Sequence, residues 1–328
     1  MPQVTDTFLR DQLLTRRQKL TSVMNTAKGA EGLVQLLGEV DSALERMEAG
    51  SYGVCEACHE PIEKDRLLAD PLVCYCLDHL TPDERRALEY DLELASEVQR
   101  KLLPRQDWSF DGWEACYHYQ PKGMVSGDYC DIIAREEGAR ELFFLLGDVS
   151  GKGLAASILM AQLHAIFHTL VATGLPVPDM MARASRIFCE NTLCPFFATL
   201  VCGRARPTGE IELSNAGHCA VLVARDGHIT RLEATSVPLG MFCTSTYPVQ
   251  KIQLAAGNTL LLYTDGVSEA RAANGEEFGE RGLINALTKH QATAPRGLIE
   301  ACLDDLLAFR SGAPLADDLT VMAIRRVG

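Results

Sequence analysis

Residues 147–153 read Gly-Asp-Val-Ser-Gly-Lys-Gly and directly follow the apolar run Glu141 to Leu146. That run, rich in Leu and Phe, predicts a β-strand, which places Asp148 at the end of the strand. Glycine beside an aspartate lets the backbone approach a bound ion closely. The stretch therefore predicts a strand that carries a candidate metal-binding aspartate at its end.

Three further acidic motifs lie at strand ends or turns: Ser126-Gly127-Asp128, Thr264-Asp265-Gly266 and Asp317-Asp318-Leu319-Thr320. Taken singly, each is weak evidence, because an Asp-Gly pair marks a turn more often than it binds an ion. Four aspartates converging from separate loops would suit two hard cations such as Mg²⁺ or Mn²⁺. Such a site supplies a bridging water whose pKa is lowered by both ions, a nucleophile at neutral pH.

The region beyond Pro104 alternates short β-branched and aromatic runs with blocks of helix. Strands are predicted at 141–146, 197–202, 210–213, 220–224, 258–263 and 319–324. Helices are predicted at 154–172, 178–192, 280–290 and 295–309. Meandering strands with inserted helices predict an α+β sandwich, two sheets covered by helices, rather than an alternating parallel sheet.

The composition is that of an ordinary soluble protein, and the length predicts two domains. The chain has 328 residues and a net charge of −13, which disfavours binding to a nucleic-acid backbone. With no signal peptide evident and no run of 18 or more apolar residues to span a bilayer, we expect a cytoplasmic protein. Twelve cysteines in a reducing compartment favour metal ligation or burial over disulfides.

Four regions are predicted along the chain: a helical segment at 1–49, a compact module at 50–80, a linker helix at 81–104 and the large domain at 105–328. The first holds two short helices around Lys28-Gly29-Ala30, which could pair as a hairpin. The linker helix starts at Thr81-Pro82 and carries a heptad seam. That seam either packs on the following domain or forms a homodimer contact; its members are Leu88, Leu92, Ala95, Gln99 and Leu102.

The compact module carries two ligand pairs, Cys55-x2-Cys58 and Cys76-x2-His79, the spacing of a closed tetrahedral zinc site. Cys74 is assigned as a spare thiol. The segments Leu44 to Ile62 and Arg66 to Pro71 resemble the zinc finger of the DksA/TraR family, in which a cysteine stands where His79 is here. The resemblance implies one structural zinc ion and does not extend to that family's action on RNA polymerase.

The large domain resembles the SpoIIE/RsbU-type branch of the metal-dependent (PPM) Ser/Thr phosphatases from about residue 90 onward. Besides the four aspartate motifs, it contains Gln99-Arg-Lys-Leu-Leu-Pro104, Asn215-Ala-Gly-His218, Pro238-Leu-Gly240 and Tyr263-Thr-Asp-Gly-Val-Ser-Glu-Ala270. The resemblance implies an αββα sandwich with two Mn²⁺ or Mg²⁺ ions at one rim. Asp148 would bridge the ions, the Val149 carbonyl would bind the second, Asp265 and Asp317 the first, and Asp128 would orient water or bind directly.

Some positions depart from the common pattern of that branch, namely Ser126, Cys130 and Cys219, none of them a proposed ligand. The phosphate-gripping Arg and the general-acid His of eukaryotic relatives have no counterpart, and Ser150 stands where that His would be. Lys152 lies in no complete nucleotide-binding motif. His218 is interpreted as a hydrogen-bonded turn residue, and His164 and His168, four apart on an apolar helix, as buried residues.

The leading hypothesis is a protein phosphoserine/phosphothreonine phosphatase that uses a water activated by two metals. By resemblance, its substrate would be a STAS-type anti-sigma-factor antagonist in a bacterial partner-switching pathway. The alternative is a non-enzymatic transcription regulator in which the finger binds the transcription machinery and the phosphatase fold is a scaffold. A third possibility joins the two, with the finger passing a signal through the linker helix to the metal site.

Overall fold

The computed structural model describes residues 2–24, 31–80, 82–136, 140–192, 196–225 and 227–328. They form two compact units that divide between Tyr90 and Asp91. In the first, helices α1 (Pro2–Met24) and α2 (Glu31–Glu48) pack together around Leu13, Val40 and Ala43. At 23 and 18 residues the helices are longer than the short pair that we predicted, and the Gly-containing break lies outside the described residues.

The finger follows these helices in the same unit. It contains helix α3 (Lys64–Ala69) and a single 3₁₀ turn at Leu77–His79. Its small core consists of Leu9, Cys55, Ile62, Leu67 and Cys76. Because two predicted metal ligands, Cys55 and Cys76, belong to this core, binding of an ion and burial of apolar surface stabilise the same few residues.

Helix α4 (Pro82–Leu102) contains the division between the units, while its predicted cap Thr81 lies outside the described residues. In its second half Gln99 is buried, whereas Leu94 and Val98 are about half exposed. At Gln99, the predicted seam therefore faces the interior of the second unit, to which this half of the helix belongs. Leu94 and Val98 lie beside the seam, whereas the seam residue Leu88 is itself 39% exposed.

The second unit contains two antiparallel sheets. The six-stranded sheet has the order β1-β2-β11-β10-β7-β8 and the five-stranded sheet the order β3-β4-β5-β6-β9. The strands are β1 (Asp107–Phe110), β2 (Trp113–Gln120), β3 (Asp128–Arg135), β4 (Glu141–Val149), β5 (Ala198–Ala205), β6 (Glu210–Ala216), β7 (Val221–Arg225), β8 (His228–Leu232), β9 (Gln250–Gln253), β10 (Thr259–Tyr263) and β11 (Leu319–Arg326).

Helices cover the outer faces of both sheets. They are α5 (Gly153–Ala172), α6 (Val177–Asn191), the single turn α7 (Asp265–Ser268), α8 (Gly279–His290) and α9 (Pro295–Arg310). The side chains of β4 alternate between layers, with Phe143 and Leu145 under α5 and α6, and Phe144 and Leu146 between the sheets. A third apolar cluster joins the six-stranded sheet to α8 and α9. The predicted αββα sandwich is confirmed.

Phe144 fills the centre of the layer between the sheets and is fully buried. Its partner in the register of β4 and β5 is Gly203. A Cβ atom on Gly203 would lie 2.0 Å from Cζ of the Phe144 ring, so only glycine leaves room for the ring. A large side chain on one strand is thus matched by the absence of a side chain on the next.

Helix α5 is the one helix in the described part of the chain that is long and apolar enough to cross a membrane. Our sequence analysis found no such segment, because Gln, His, Ser and Thr interrupt the apolar residues. In the structure, side chains such as Met160, Leu163 and Phe167 are buried against the five-stranded sheet. The helix therefore belongs to the core of the domain.

Cys189 on α6 and Cys243 form a disulfide, with their Cα atoms 5.5 Å apart. We had expected thiols that bind metal or are simply buried. Among the other described cysteines, Cys116, Cys130, Cys202 and Cys302 are free and buried, as expected.

We predict that Phe144→Ala lowers the free energy of unfolding by about 3–5 kcal/mol, since it removes a fully buried ring and leaves a cavity. Phe144→Leu, which retains much of the volume, should cost less. Chemical denaturation monitored by circular dichroism measures both values. Equal stabilities for wild type and Phe144→Ala would contradict this account of the core.

Candidate active site and zinc centre

The strand register brings the predicted aspartates to one rim of the sandwich. Asp128 starts β3 and is paired with Asp148 near the end of β4. In the other sheet, β10 ends just before Asp265 and β11 starts just after Asp317, and these strands are also paired. Each sheet therefore contributes two of the four aspartates.

Asp128 connects the two sheets. Its carboxylate is 2% exposed, and its Oδ2 accepts hydrogen bonds from Thr264 Oγ1 at 3.0 Å and Thr320 Oγ1 at 2.5 Å. Thr264 directly follows β10 and Thr320 lies in β11, both of the six-stranded sheet, whereas Asp128 lies in the five-stranded sheet. Sequence reasoning missed these two residues, although each lies within a motif that it quoted.

Two glycines allow the close packing that the motifs require. A Cβ atom on Gly266 would lie 1.8 Å from the carbonyl oxygen of Asp318, so the loops that carry Asp265 and Asp317 touch through bare backbone. A Cβ atom on Gly127 would lie 3.1 Å from the Val149 carbonyl oxygen and 3.3 Å from Asp148 Oδ1. Two predicted oxygen ligands thus both lie next to Gly127.

The electrostatics of the rim favour bound cations. Burial, followed by the charges of Asp265 and Asp317, raises the pKa of Asp148 to about 7. Burial and Asp317 also raise the pKa of Asp265. Burial raises the pKa of Asp128 well above its usual value, despite the hydrogen bond from Thr320. Carboxylates that resist ionisation when alone become fully ionised when a divalent ion neutralises them.

Lys152 and Asp318 complete the rim, and neither was assigned a role from the sequence. Lys152 Nζ lies 2.6 Å from Asp317 Oδ2, so an exposed cation already touches one predicted ligand. Asp318 accepts hydrogen bonds from the backbone N–H groups of Lys122, at 2.7 Å, and Gly127, at 3.0 Å. Asp318 therefore holds the loop before Asp128 in place.

The four carboxylates are spread more widely than the ligands of a single ion. Within the described residues, no three of them place one oxygen each within 4.8 Å of the others. A pair of ions about 3.5–4 Å apart does not need such convergence, because the ligands divide between the two. The described carboxylates therefore do not converge on one point as the ligands of the finger do.

The histidine and serine near the rim both make hydrogen bonds, while His218 Nε2 is buried without a partner. His218 Nδ1 lies 2.8 Å from Thr199 Oγ1, and the His218 N–H donates to Asn215 Oδ1. Burial lowers the pKa of His218 to about 4, so the ring is neutral at pH 7. Ser150 Oγ accepts a hydrogen bond from the Phe197 N–H. These contacts support the interpretation of His218 as a hydrogen-bonded turn residue.

Gln99 of α4 connects the linker helix to the rim. Its Nε2 donates to the Ser126 carbonyl at 2.7 Å, and its Oε1 accepts from the Ser126 N–H at 3.0 Å. Ser126 Oγ in turn accepts from the Asp128 N–H at 3.0 Å. Two consecutive contacts therefore join the helix to the most deeply buried aspartate.

In the first unit, the four predicted zinc ligands converge. One donor atom from each of Cys55, Cys58, Cys76 and His79 lies within 4.8 Å of all the others. The sulphur atoms of Cys58 and Cys76 are 3.8 Å apart, the separation expected for two thiolates about 2.3 Å from one tetrahedral zinc. Although burial opposes ionisation, backbone N–H groups directed at Cys55 lower its pKa to about 6. The cluster fits one tetrahedral ion.

Cys74 lies outside this cluster, as predicted. Its sulphur accepts a hydrogen bond from Arg46 Nη1 at 2.8 Å, and Arg46 also pairs with Glu56. Burial raises the pKa of Cys74, so it stays a thiol. Cys74 thus helps to fix the finger against α2.

The sequence of the large domain matches the family model for stage II sporulation protein E over residues 138–327, more than half of the chain. The chain belongs to the SpoIIE family. Residues 50–78 match the prokaryotic dksA/traR C4-type zinc finger, and His79 lies just beyond the matched segment. Both resemblances inferred from motifs are confirmed.

Two curated relatives are similar over most of the chain. IcfG from Synechocystis sp. is 26% identical over 265 residues, 72% of this chain and 41% of that protein. The phosphoserine phosphatase RsbU from Bacillus subtilis is 24% identical over 246 residues, 74% of this chain and 72% of that protein. The chain therefore spans less than half the length of one relative and most of the other.

Solved structures share the fold. The SiaA-PP2C domain of Pseudomonas aeruginosa superposes with a TM-score of 0.64 at 21% identity, covering 74% of this chain and 98% of that one. The RsbU and RsbW domains of Rv1364c from Mycobacterium tuberculosis give 0.58 at 24% identity, covering 69% and 62%. The PP2C-like sandwich is thus found in proteins of low sequence identity.

We predict that Mn²⁺ affinity of the rim falls about tenfold for each pH unit below 7, because Asp148, with its pKa of about 7, must lose a proton to bind a cation. When no cation is bound, protonated Asp148 favours the folded protein. The free energy of unfolding therefore falls as the pH rises through about 7 and Asp148 ionises. Titration calorimetry at about pH 6 and about pH 8 tests the affinity. Equal affinities at both values would contradict it.

We also predict that Gln99→Leu, which retains a helix-forming side chain of similar size, weakens Mn²⁺ binding at the rim without unfolding the domain. The reason is that both hydrogen bonds to Ser126 are lost and Asp128 is held less firmly. Gln106→Leu, which removes a glutamine outside this chain of contacts, is the matched control. Unchanged affinity in Gln99→Leu would show that the helix does not support the rim.

Proposed function

We propose that the chain is a metal-dependent protein phosphatase that hydrolyses phosphoserine or phosphothreonine. The observation that carries this proposal is the gathering of Asp128, Asp148, Asp265 and Asp317 at one rim by strands from two sheets. The Bacillus subtilis relatives RsbU and RsbP, both named phosphoserine phosphatases, support it.

Asp148, Asp265 and Asp317, with the Val149 carbonyl, would hold two Mn²⁺ or Mg²⁺ ions. When bound, the ions supply an activated water and neutralise the charge of the phosphoryl group. Asp128 is the least direct of the four ligands, because Oδ2 is already occupied by Thr264 and Thr320. Its remaining oxygen would orient water or complete the coordination of one ion.

Lys152 acts beside these ligands. Its ammonium neutralises Asp317 and is 62% exposed, so it can move away when a cation binds. His218 is a poor proton donor for a leaving group, because burial lowers its pKa to about 4 and keeps the ring neutral. Protonation of the departing serine or threonine oxygen would then come from solvent.

The substrate we propose is a phosphorylated STAS-domain protein of a bacterial partner-switching pathway, acted on in the cytoplasm. At the rim, Asp317 and Lys152 are 41% and 62% exposed, which suits a phosphorylated side chain displayed on a protein surface. The finger, with Cys55, Cys58, Cys76 and His79 on one Zn²⁺ ion, would be a structural or sensory module. Signals would reach the rim through α4 and Gln99.

A homodimer through the helix at 82–103 is a second part of this proposal. Leu94 and Val98 on α4, with Leu154 and Ile158 on α5, form an apolar strip whose side chains are 45–60% exposed. Such a strip is typical of surfaces that bind another protein. Light scattering over a range of protein concentrations measures the association.

We predict that Asp148→Asn and Asp265→Asn each reduce Mn²⁺-dependent phosphate release at least about a hundredfold, because each removes a charged ligand of the ions. The assay compares a phosphoserine STAS protein with p-nitrophenyl phosphate. Asp304→Asn, on the exposed face of α9, is the matched control and should retain wild-type turnover.

Wild-type turnover in Asp148→Asn would overturn the proposal, as would a failure of the wild type to release phosphate with any divalent ion. If binding to RNA polymerase instead depends on Cys55 and not on Asp148, the non-enzymatic regulator is favoured. A comparison of the full chain with a fragment that starts near residue 81 would then assign the role of the finger.

A further inference from the structure

A second cluster of metal-binding side chains lies behind the active-site rim. His164 and His168 stand four residues apart on α5, so both face the same side of the helix. The strand opposite them, β3, presents Asp131, which is 2% exposed. One donor atom from each of the three residues lies within 4.8 Å of the others.

The distances resemble those between ligands of one ion. Asp131 Oδ2 is 2.8 Å from His168 Nε2 and 3.2 Å from His164 Nδ1. Nitrogen and oxygen ligands about 2.0–2.1 Å from a tetrahedral ion are separated by roughly 3.3 Å. His164 Nδ1 is also a buried atom that makes no hydrogen bond of good geometry, which is unusual for a polar atom in a protein interior.

Neighbouring groups hold Asp131 in the orientation that binding requires. The Ile132 N–H donates to its Oδ1 at 2.8 Å, which leaves Oδ2 directed at the histidines. The Tyr129 hydroxyl donates to Oδ2 at 3.0 Å. Hydrogen bonds of this kind to a ligating carboxylate fix its orientation and increase affinity.

We propose that Asp131, His164 and His168 bind one divalent ion of the zinc class. Two imidazoles and one carboxylate are ligands that Zn²⁺, Co²⁺ or Ni²⁺ prefer, whereas Mg²⁺ and Mn²⁺ prefer all-oxygen sites. The His168 side chain is 45% exposed, so our interpretation of it as a buried residue is wrong, whereas His164 is 18% exposed. Three protein ligands leave a coordination position open, and the exposure of His168 gives solvent access to it. The ion would therefore exchange with solution.

This site is separate from the four aspartates. Asp128 and Asp131 are three residues apart on β3, and side chains an odd number apart point to opposite faces of a strand. Asp128 contacts the six-stranded sheet, while Asp131 contacts α5. Because β3 starts at Asp128 and α5 starts directly after Lys152, an ion here would tie together the two elements that border the rim.

The test measures zinc bound by the full chain in excess Mg²⁺, which occupies the aspartate site. We expect His168→Gln to bind one zinc equivalent less than the wild type. The control is His228→Gln, which replaces an exposed histidine on β8 and should bind as much zinc as the wild type. Cys55→Ser should lose the finger's zinc and keep this one. Tyr129→Phe should weaken the site about tenfold, as expected when a group that orients a ligand is removed.

Co²⁺ provides a second measurement, because a site without thiolates lacks the sulphur charge-transfer absorption of the finger. Zinc should raise the unfolding temperature of Cys55→Ser and not that of Cys55→Ser/His168→Gln. Because His168 is 45% exposed and glutamine can still donate a hydrogen bond to Asp131, we expect His168→Gln to keep its fold. Equal zinc content and equal Co²⁺ spectra in wild type and His168→Gln would overturn the proposal and leave a hydrogen-bonded Asp–His cluster only.

Discussion

The buried carboxylate of Asp128 is the contact on which the phosphatase unit depends most. It lies in one sheet and accepts hydrogen bonds from Thr264 and Thr320, which belong to the other. A buried carboxylate costs free energy unless it is hydrogen-bonded, so the two sheets must meet at this point. The other three aspartates then follow from the strand register on either side.

That arrangement assembles the site before any ion arrives. The pKa of Asp148 is about 7 because burial and like charges oppose its ionisation, while Lys152 neutralises Asp317 at the edge. The rim therefore combines negative charge that needs a counter-ion with one mobile positive charge. Cations that bind here relieve repulsion, and stability and occupancy become linked.

Strong local patterns let the sequence predict much of the fold. The runs at 141–146, 258–263 and 319–324 are nearly continuous apolar stretches, and all three are strands. The sequence did not reveal β1, β2, β3, β8 or β9. Among these, the runs of β2 (Trp113–Gln120) and β3 (Asp128–Arg135) mix polar and aromatic residues. Each borders polar groups of the site or the rim, so its composition reflects chemistry as well as burial.

For the sites, too, the sequence predicted only what is local along the chain. The spacing of Cys55, Cys58, Cys76 and His79 is local, so the sequence alone predicted their convergence. The His164–His168 pair was also visible, but its partner Asp131 lies more than thirty residues earlier and reaches the histidines only through the packing of β3 on α5. Contacts made between layers cannot be inferred from spacing along the chain.

Helix α5 has a further consequence for how the protein is made. Its apolar composition, equal to that of a membrane span, would be hazardous if the helix left the ribosome with nothing to cover it. The strands on which it packs, β3 and β4, directly precede it in the sequence. Part of its covering surface is therefore synthesised first, whereas α6, which also packs on α5, is synthesised after it.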